Sequence, residues 1–565
     1  MQKILRPLII VEILLFMVFF SFSFWLMIHT FSYKPERHAI LISSRLWSDF
    51  AAHIPLIRSF SMGDNLSRML RGLAPQYPIY PGEPIRYHFL FYMLVGILES
   101  MGLRIDWAIN IPSALGFFGL LAGIYLLAKK LFHSRLTALL SILFFLFNGS
   151  LSFMKFFSTH PISIHTFRDI VHASAFPSFG PWDHGVITAF WNLNIYTNQR
   201  HLALAFAVVM FFMLWIIINE HKKFVDQWKS ALVWGLAISV FPYFHQPTLL
   251  VFAVLLSSYI VLFPRLRLAL LITGGLGAIL VVPQLLFMIQ SGGAKSFGLY
   301  LGYLAHDNLT AASFINFWWQ NLGLHSLFIP LGFFLIPRQA KKILFPIVPI
   351  FIMANVWKFS IEPAANHKFF NFSLIVGGMI SAYVLAKAMN QLQQAKHFLI
   401  RALGYITITG YLLVLTLSGI IDFFVIANDT RGSVDDVGAD EVATWIAQNT
   451  VPSAVFLNSK YIYHPASLAG RSIFLGWPYF PWSAGYEGNR TSLIRQFYES
   501  HDTVTMCQMM RENHLDYVTV EDTNGDPNLP TIDVKYFFTS FTHSFTNAQG
   551  TYLILSQNDL CASKP

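Results

Sequence analysis

Charge is what this chain has least of. Asp, Glu, Lys and Arg make up 12% of it, about half the share in soluble domains. Hydrophobic residues make up 55%, with Phe alone at 55 positions, and that balance selects an integral membrane protein. Cysteine is nearly absent too. Cys507 and Cys561 both fall in the polar C-terminal part, so there is no Cys ligand set for a metal, and the two are able to pair only where that part is extracytoplasmic. No His-Glu-x-x-His run occurs, and the C-terminal part holds neither a phosphate-cradling glycine loop nor a nucleophile elbow. The net charge of +9 invites a nucleic-acid partner. Most Lys and Arg, however, sit in short loops between apolar runs, which is orientation signalling rather than a basic binding face.

The apolar runs give the architecture. Lys3 and Arg6 precede a run from Leu8 to Ile28 with no small-residue cleavage site, so it reads as a retained anchor with a cytoplasmic N-terminus. Tyr87 to Leu103 is short and aromatic, and reads as a juxtamembrane helix on the outer side. Further spans are expected at 107–128, 137–154, 202–218, 230–242, 248–263, 268–288, 324–336, 343–356, 369–386 and 402–426. Under that alternation the clusters at Lys129-Lys130, Lys222-Lys223, Arg265 and Arg267, Lys341-Lys342 and Lys396 to Arg401 all land inside. The expectation is an α-helical polytopic protein with roughly eleven spans. The core covers 1–427, with a first outer loop at 29–106, and is followed by a small extracytoplasmic α/β domain at 428–565. In that domain Val455-Phe-Leu-Asn, Ser472-Ile-Phe-Leu-Gly and Tyr517-Val-Thr-Val read as buried strands. Glu441 to Gln448, Leu493 to Ser500 and Thr503 to Asn513 read as helices.

Unusual polar residues gather on the outer side. The first loop carries Asp49 and His53, four apart and so on one face of a helix, then Arg86, Tyr87 and His88. The next holds His160, His165, Arg168, Asp169, His172, Trp182, Asp183 and His184, and ends at Gln199-Arg200-His201. His245 and Gln246 mark a third turn, and His367-Lys368 opens a late span. Arg86, Arg200 and Lys368 oppose the positive-inside bias. An anionic head group, such as a phosphate on a long isoprenoid, gives each a reason to be there; snorkelling to ordinary lipid phosphates is the other reason. Asp49 is repelled by phosphate unless it serves a proton-donating partner, which suits a general base for a sugar or lipid hydroxyl. The plain alternative is an interfacial helix capped by Asp49. The histidines also admit a divalent metal ion, with His165, Asp169 and His172 as ligand candidates. Outer aromatics such as Trp47, Trp191 and Trp357 suit sugar stacking, or an interfacial belt.

The early acid of Trp47-Ser-Asp49, the stretch Pro84-Ile-Arg-Tyr-His88, Ile111-Pro-Ser-Ala-Leu leading to Tyr125-Leu-Leu-Ala-Lys-Lys-Leu-Phe132, and Trp445 to Phe456 with His464-Pro and Ala469-Gly-Arg together resemble the GT-C superfamily of polytopic glycosyltransferases. That superfamily includes protein mannosyltransferases and the aminoarabinose transferases of lipid A. The Asp-x-Asp of some members is absent here. The resemblance implies an enzyme of a bacterial or archaeal cell membrane. It would take a polyprenyl-phosphate sugar at the outer leaflet and transfer the sugar, with inversion, to a lipid, glycan or protein acceptor. Asp49 would deprotonate the acceptor hydroxyl, and Arg200, His201, His367 and Lys368 would steady the leaving phosphate. Arg86, Tyr87, His53 and His88 would complete the binding site. A transporter or flippase for a lipid-linked glycan would instead place charges mid-span and repeat itself in two halves, and neither is seen. A non-catalytic scaffold leaves Asp49 without a purpose.

Overall fold

The computed structural model describes residues 2–180, 186, 188–290, 297–523 and 525–562. Trp182, Asp183 and His184 lie outside them. The chain divides into two compact units. One is Met1–His29, Ser113–Leu286 and Ser296–Thr430, and the other Thr30–Pro112, Phe287–Lys295 and Arg431–Pro565.

The first unit is helical because its apolar runs are long, carry few internal charges, and satisfy their own backbone groups. Among the described residues six helices are long and apolar enough to cross a membrane: Ile10–Thr30, Ile105–Phe132, Leu202–Asn219, Pro264–Met288, Arg338–Val356 and Pro363–Gln393. Phe398–Val414 with Leu417–Ala427, bent by 43° at the break, makes a seventh when the pair is counted as one span. Helices also occupy the other expected spans at Arg135–Leu146, Trp228–Ser239, Gln246–Leu262 and His325–Leu335, each short of that length.

The span expected over 137–154 is not continuous. Its helix stops at Leu146 and a new one runs Ser152–Thr159, because Asn148-Gly149-Ser150 takes up other bonds. Asn148 Nδ2 donates to Asp422 Oδ2 at 2.9 Å, Ser150 Oγ donates to Asn148 Oδ1 at 2.7 Å, and Ser418 Oγ donates to the Ser150 carbonyl at 2.5 Å. Asn and Ser side chains that bond locally compete with the helix in this way. The bent crossing packs its Gly419 against the same segment, so closely that a Cβ would overlap the backbone of Phe147 and Asn148. Gly419→Ala is therefore expected to cost about 1–3 kcal/mol, read as a lower melting temperature in detergent; an unchanged melting temperature would refute the close packing.

The second unit holds two sheets. Phe31–Lys34, Ala39–Ser43 and Arg431–Asp435 form an antiparallel sheet in that order, with Ile40 opposite Val434. The other runs Ser472–Ile473, Val455–Leu457, Tyr517–Glu521, Tyr552–Ser556, Phe545–Thr546. Its first three strands are parallel and its last two antiparallel to their neighbours. The three expected strands are there, and Tyr552–Ser556 and Phe545–Thr546 extend them. Val518, Thr519 and Val520 are all buried, as strands covered on both faces require. Helices Glu441–Asn449, Arg490–Glu499 and Thr503–Glu512 pack around it. Cys507 and Cys561 form a disulfide. Replacing both with Ala is expected to lower the unfolding free energy of this unit by about 2–4 kcal/mol, measured by denaturant titration; equal midpoints would show the bond to be dispensable.

Candidate functional site

In the second unit, helix Trp47–Ser61 presents Asp49 in its first turn, where the positive end of the helix favours a carboxylate. The entry is fixed by an aromatic clamp. The Trp47 and Tyr463 rings lie 4.5 Å apart, and the Tyr463 hydroxyl donates to the Trp47 carbonyl at 2.5 Å. Asp49 is half-buried, and its charge acts on Tyr87 and Tyr463. Burial first, and then the Asp49 charge, pushes both Tyr87 and Tyr463 well above the usual phenol range. Both phenols therefore stay protonated at neutral pH, as hydrogen-bond donors.

One turn on, His53 Nε2 and the Tyr92 hydroxyl share a hydrogen bond of 2.8 Å with the rings stacked at 4.6 Å. Tyr92 comes from helix Leu90–Ser100, the expected juxtamembrane segment. His88 is buried with its ring 3.6 Å from Tyr87. The same-face reading of Asp49 and His53 thus leads to a cluster of Asp49, His53, Tyr87 and His88, to which Tyr92 and Tyr463 are additions.

Arg86 is taken up elsewhere. Its guanidinium pairs with Glu83 at 3.0 Å, donates to the Gly485 carbonyl at 2.5 Å and lies over the Tyr486 ring at 4.5 Å. These contacts tie residues 83–86 to 485–486.

In the first unit the remaining cations collect where three helices begin. His201 precedes Leu202–Asn219, His245 precedes Gln246–Leu262, and His367 opens His367–Gln393. Gln199 Nε2 lies 3.4 Å from His367 Nε2, Asn371 Nδ2 donates to His367 Nδ1 at 3.1 Å, and the His201 and His245 rings are 5.2 Å apart. The Lys368 ammonium lies within electrostatic reach of both His245 and His367. Arg200 Nη1 donates to Met27 Sδ at 2.8 Å. Arg200 is 0% and Lys368 7% exposed. Both are enclosed by protein, so neither side chain snorkels to lipid, which requires exposure. His201, His245, His367 and Lys368 thus come together, whereas the Arg200 guanidinium, next to His201 in the chain, is turned to Met27. Lys368 beside three helix N-termini makes a positive locus suited to an anion.

The metal candidates fare differently. His165, Asp169 and His172 flank and occupy the short helix Thr166–Val171, where His172 Nδ1 lies 2.9 Å from the Arg168 carbonyl and Arg168 pairs loosely with Asp169 at 3.9 Å. Among the described residues no group of three His, Cys, Asp or Glu side chains is arranged to hold a metal ion, so no step is routed through one.

Two buried charges were missed in the sequence. Asp422 is fully buried and accepts from Asn148 Nδ2 at 2.9 Å and Asn192 Nδ2 at 3.2 Å; a lone carboxylate inside an apolar run was its signal. Arg58, at the far end of the Asp49 helix, pairs with Glu99 and Asp436.

No protein-family model and no curated protein matches the chain. Solved structures do. The apo oligosaccharyltransferase of Archaeoglobus fulgidus matches over 90% of this chain and 69% of its own, at 10% identity and a TM-score of 0.50. ArnT from Cupriavidus metallidurans bound to undecaprenyl phosphate matches over 98% of this chain and 99% of its own, at 10% identity and TM-score 0.45. The mycobacterial arabinofuranosyltransferase AftD matches over 94% of this chain and 37% of its own, at 11% identity and TM-score 0.48. At these identities the likeness is one of fold, carried by the first.

Proposed function

Taking as premise the fold of the GT-C membrane glycosyltransferases, we propose that this protein is an inverting glycosyltransferase. It moves a sugar from a polyprenyl-phosphate donor to an acceptor hydroxyl at the outer face of the membrane. The observation that supports this best is the half-buried Asp49 in the first turn of a helix whose entry is clamped by Trp47 and Tyr463.

In the step proposed, the acceptor hydroxyl gives its proton to Asp49 as its oxygen attacks the anomeric carbon. The bond from that carbon to the phosphate oxygen breaks, and the polyprenyl phosphate leaves with the electron pair. Arg200 and Lys368, with His201, His245 and His367, steady the charge that develops on the phosphate. His53, Tyr87 and His88 orient the hydroxyls of sugar and acceptor. A single carboxylate acting as base, with no carboxylate nucleophile, gives one displacement and therefore inversion. The disulfide supports an extracytoplasmic second unit and a cytoplasmic N-terminus, since such bonds persist in oxidising compartments.

The test is reconstitution of the full chain in proteoliposomes with a panel of labelled polyprenyl-phosphate sugars and lipid, glycan and peptide acceptors. Label on an acceptor, with free polyprenyl phosphate released, is the expected result. Donor moved between leaflets with its sugar still attached would instead make the protein a flippase.

A further inference from the structure

The sheet of the second unit has a switch in its winding. From Val455–Leu457 the chain passes to Ser472–Ile473 on one side and then returns to Tyr517–Glu521 on the other, all three parallel. In open α/β sheets the crevice beyond the carboxyl ends of such strands is where ligands bind. Polar groups gather at those strand ends here. Ser459 Oγ donates to Glu521 Oε1 at 2.5 Å, and Lys460 Nζ pairs with Glu521 Oε2 at 3.3 Å. Asn458 Nδ2 donates to the Leu475 carbonyl at 2.7 Å, which holds the ends of two strands together.

Directly after Leu475 comes Gly-Trp477-Pro-Tyr479-Phe-Pro-Trp482. Trp477 is 39%, Tyr479 40% and Trp482 49% exposed, and the rings of Tyr479 and Trp482 lie 5.9 Å apart. Three large aromatics this exposed in one short segment call for a partner with apolar faces. Trp477 reaches back to the crevice, with its ring 6.4 Å from that of Tyr461. Tyr461 is 3% exposed, and among the described residues its hydroxyl has no hydrogen-bond partner. Arg495 is close enough for its charge to act on that hydroxyl. A buried, unpaired hydroxyl costs about 1–3 kcal/mol, a cost removed when a ligand hydroxyl bonds to it.

We propose that this crevice and its aromatic segment form a carbohydrate-binding site, in which sugar rings stack on Trp477, Tyr479 and Trp482 while their hydroxyls bond to Lys460, Glu521 and Arg495. Bare apolar anchoring in lipid needs the aromatics but not the polar crevice; a sugar chain needs both. The site uses none of the residues proposed for transfer, so its binding is measured independently of activity in an Asp49 variant.

The test is calorimetry on the full chain in nanodiscs with three neutral hexasaccharides of gluco, manno and galacto configuration. At least one is expected to bind. Binding is expected to weaken by at least about tenfold in W477A/W482A and to persist in D49N, with melting temperatures unchanged because both tryptophans are surface residues. Failure of all three sugars to bind at about 10 mM, a range typical of weak sites, or equal affinity in W477A/W482A, would overturn the proposal. So would quenching, by nitroxide-labelled lipid, of a fluorophore attached to W482C, since it would place the segment against the bilayer.

Discussion

Asp49→Asn is expected to slow sugar transfer by about 10²- to 10⁴-fold, the usual contribution of a general base. Asn keeps the shape and the polar contacts but cannot accept the acceptor's proton. The fold is expected to survive, because a carboxylate in the first turn of a helix contributes only about 0.3–1 kcal/mol. The loss should appear in kcat more than in the KM for donor, since the groups proposed to hold phosphate lie elsewhere in the chain. Steady-state rates with a labelled polyprenyl-phosphate sugar decide it: a variant as fast as wild type would remove Asp49 from the mechanism and leave it a first-turn carboxylate, with Leu46 rather than Asp49 at the helix cap.

The second large effect concerns stability. Arg58 Nη2 donates to both Asp436 oxygens at 2.9 and 2.8 Å, and its Nε lies 3.2 Å from Glu99 Oε1. All three side chains are largely withdrawn from water. Arg58→Met keeps the apolar stem but strands two carboxylates, and breaking a buried pair in this way costs about 3–5 kcal/mol.

The pH dependence has a definite sign. Burial raises the Glu99 pKa in the native state, and Arg58 opposes the rise. A carboxyl whose folded pKa exceeds its unfolded value binds more protons in the folded state. Its penalty is therefore absent below the ordinary carboxylate range and grows as pH climbs to the folded value. Without Arg58 the rise is steeper, so the variant is expected to recover part of its melting temperature on acidification. A loss below about 1 kcal/mol, within the range of exposed pairs, or no recovery at low pH, would show the triad to be structurally minor.

What the sequence disclosed follows from how local each signal is. Asp49 and His53 share a face through a spacing of four, and the three parallel strands stand out as short β-branched and aromatic runs between turns. The small antiparallel sheet was invisible because Ala39–Ser43 pairs with Arg431–Asp435, far away in the chain, and neither strand alternates clearly. Arg58 looked like an ordinary charge near a helix end, since its partners Glu99 and Asp436 come from distant segments. The break at Asn148-Gly149-Ser150 was overlooked because apolar residues on both sides carry the hydropathy across it. The convergence of His201, His245 and His367 was legible only as three polar turns on one side; that they meet is a property of the packing.

The account stands on a single displacement at the anomeric carbon of a lipid phosphate. The most direct measurement is the anomeric configuration of the transferred sugar by NMR, together with the polyprenyl phosphate released per sugar moved. The account predicts a product of configuration opposite to the donor's and one lipid phosphate freed for each transfer. A product that retains the donor's configuration, or transfer without release of lipid phosphate, would contradict it.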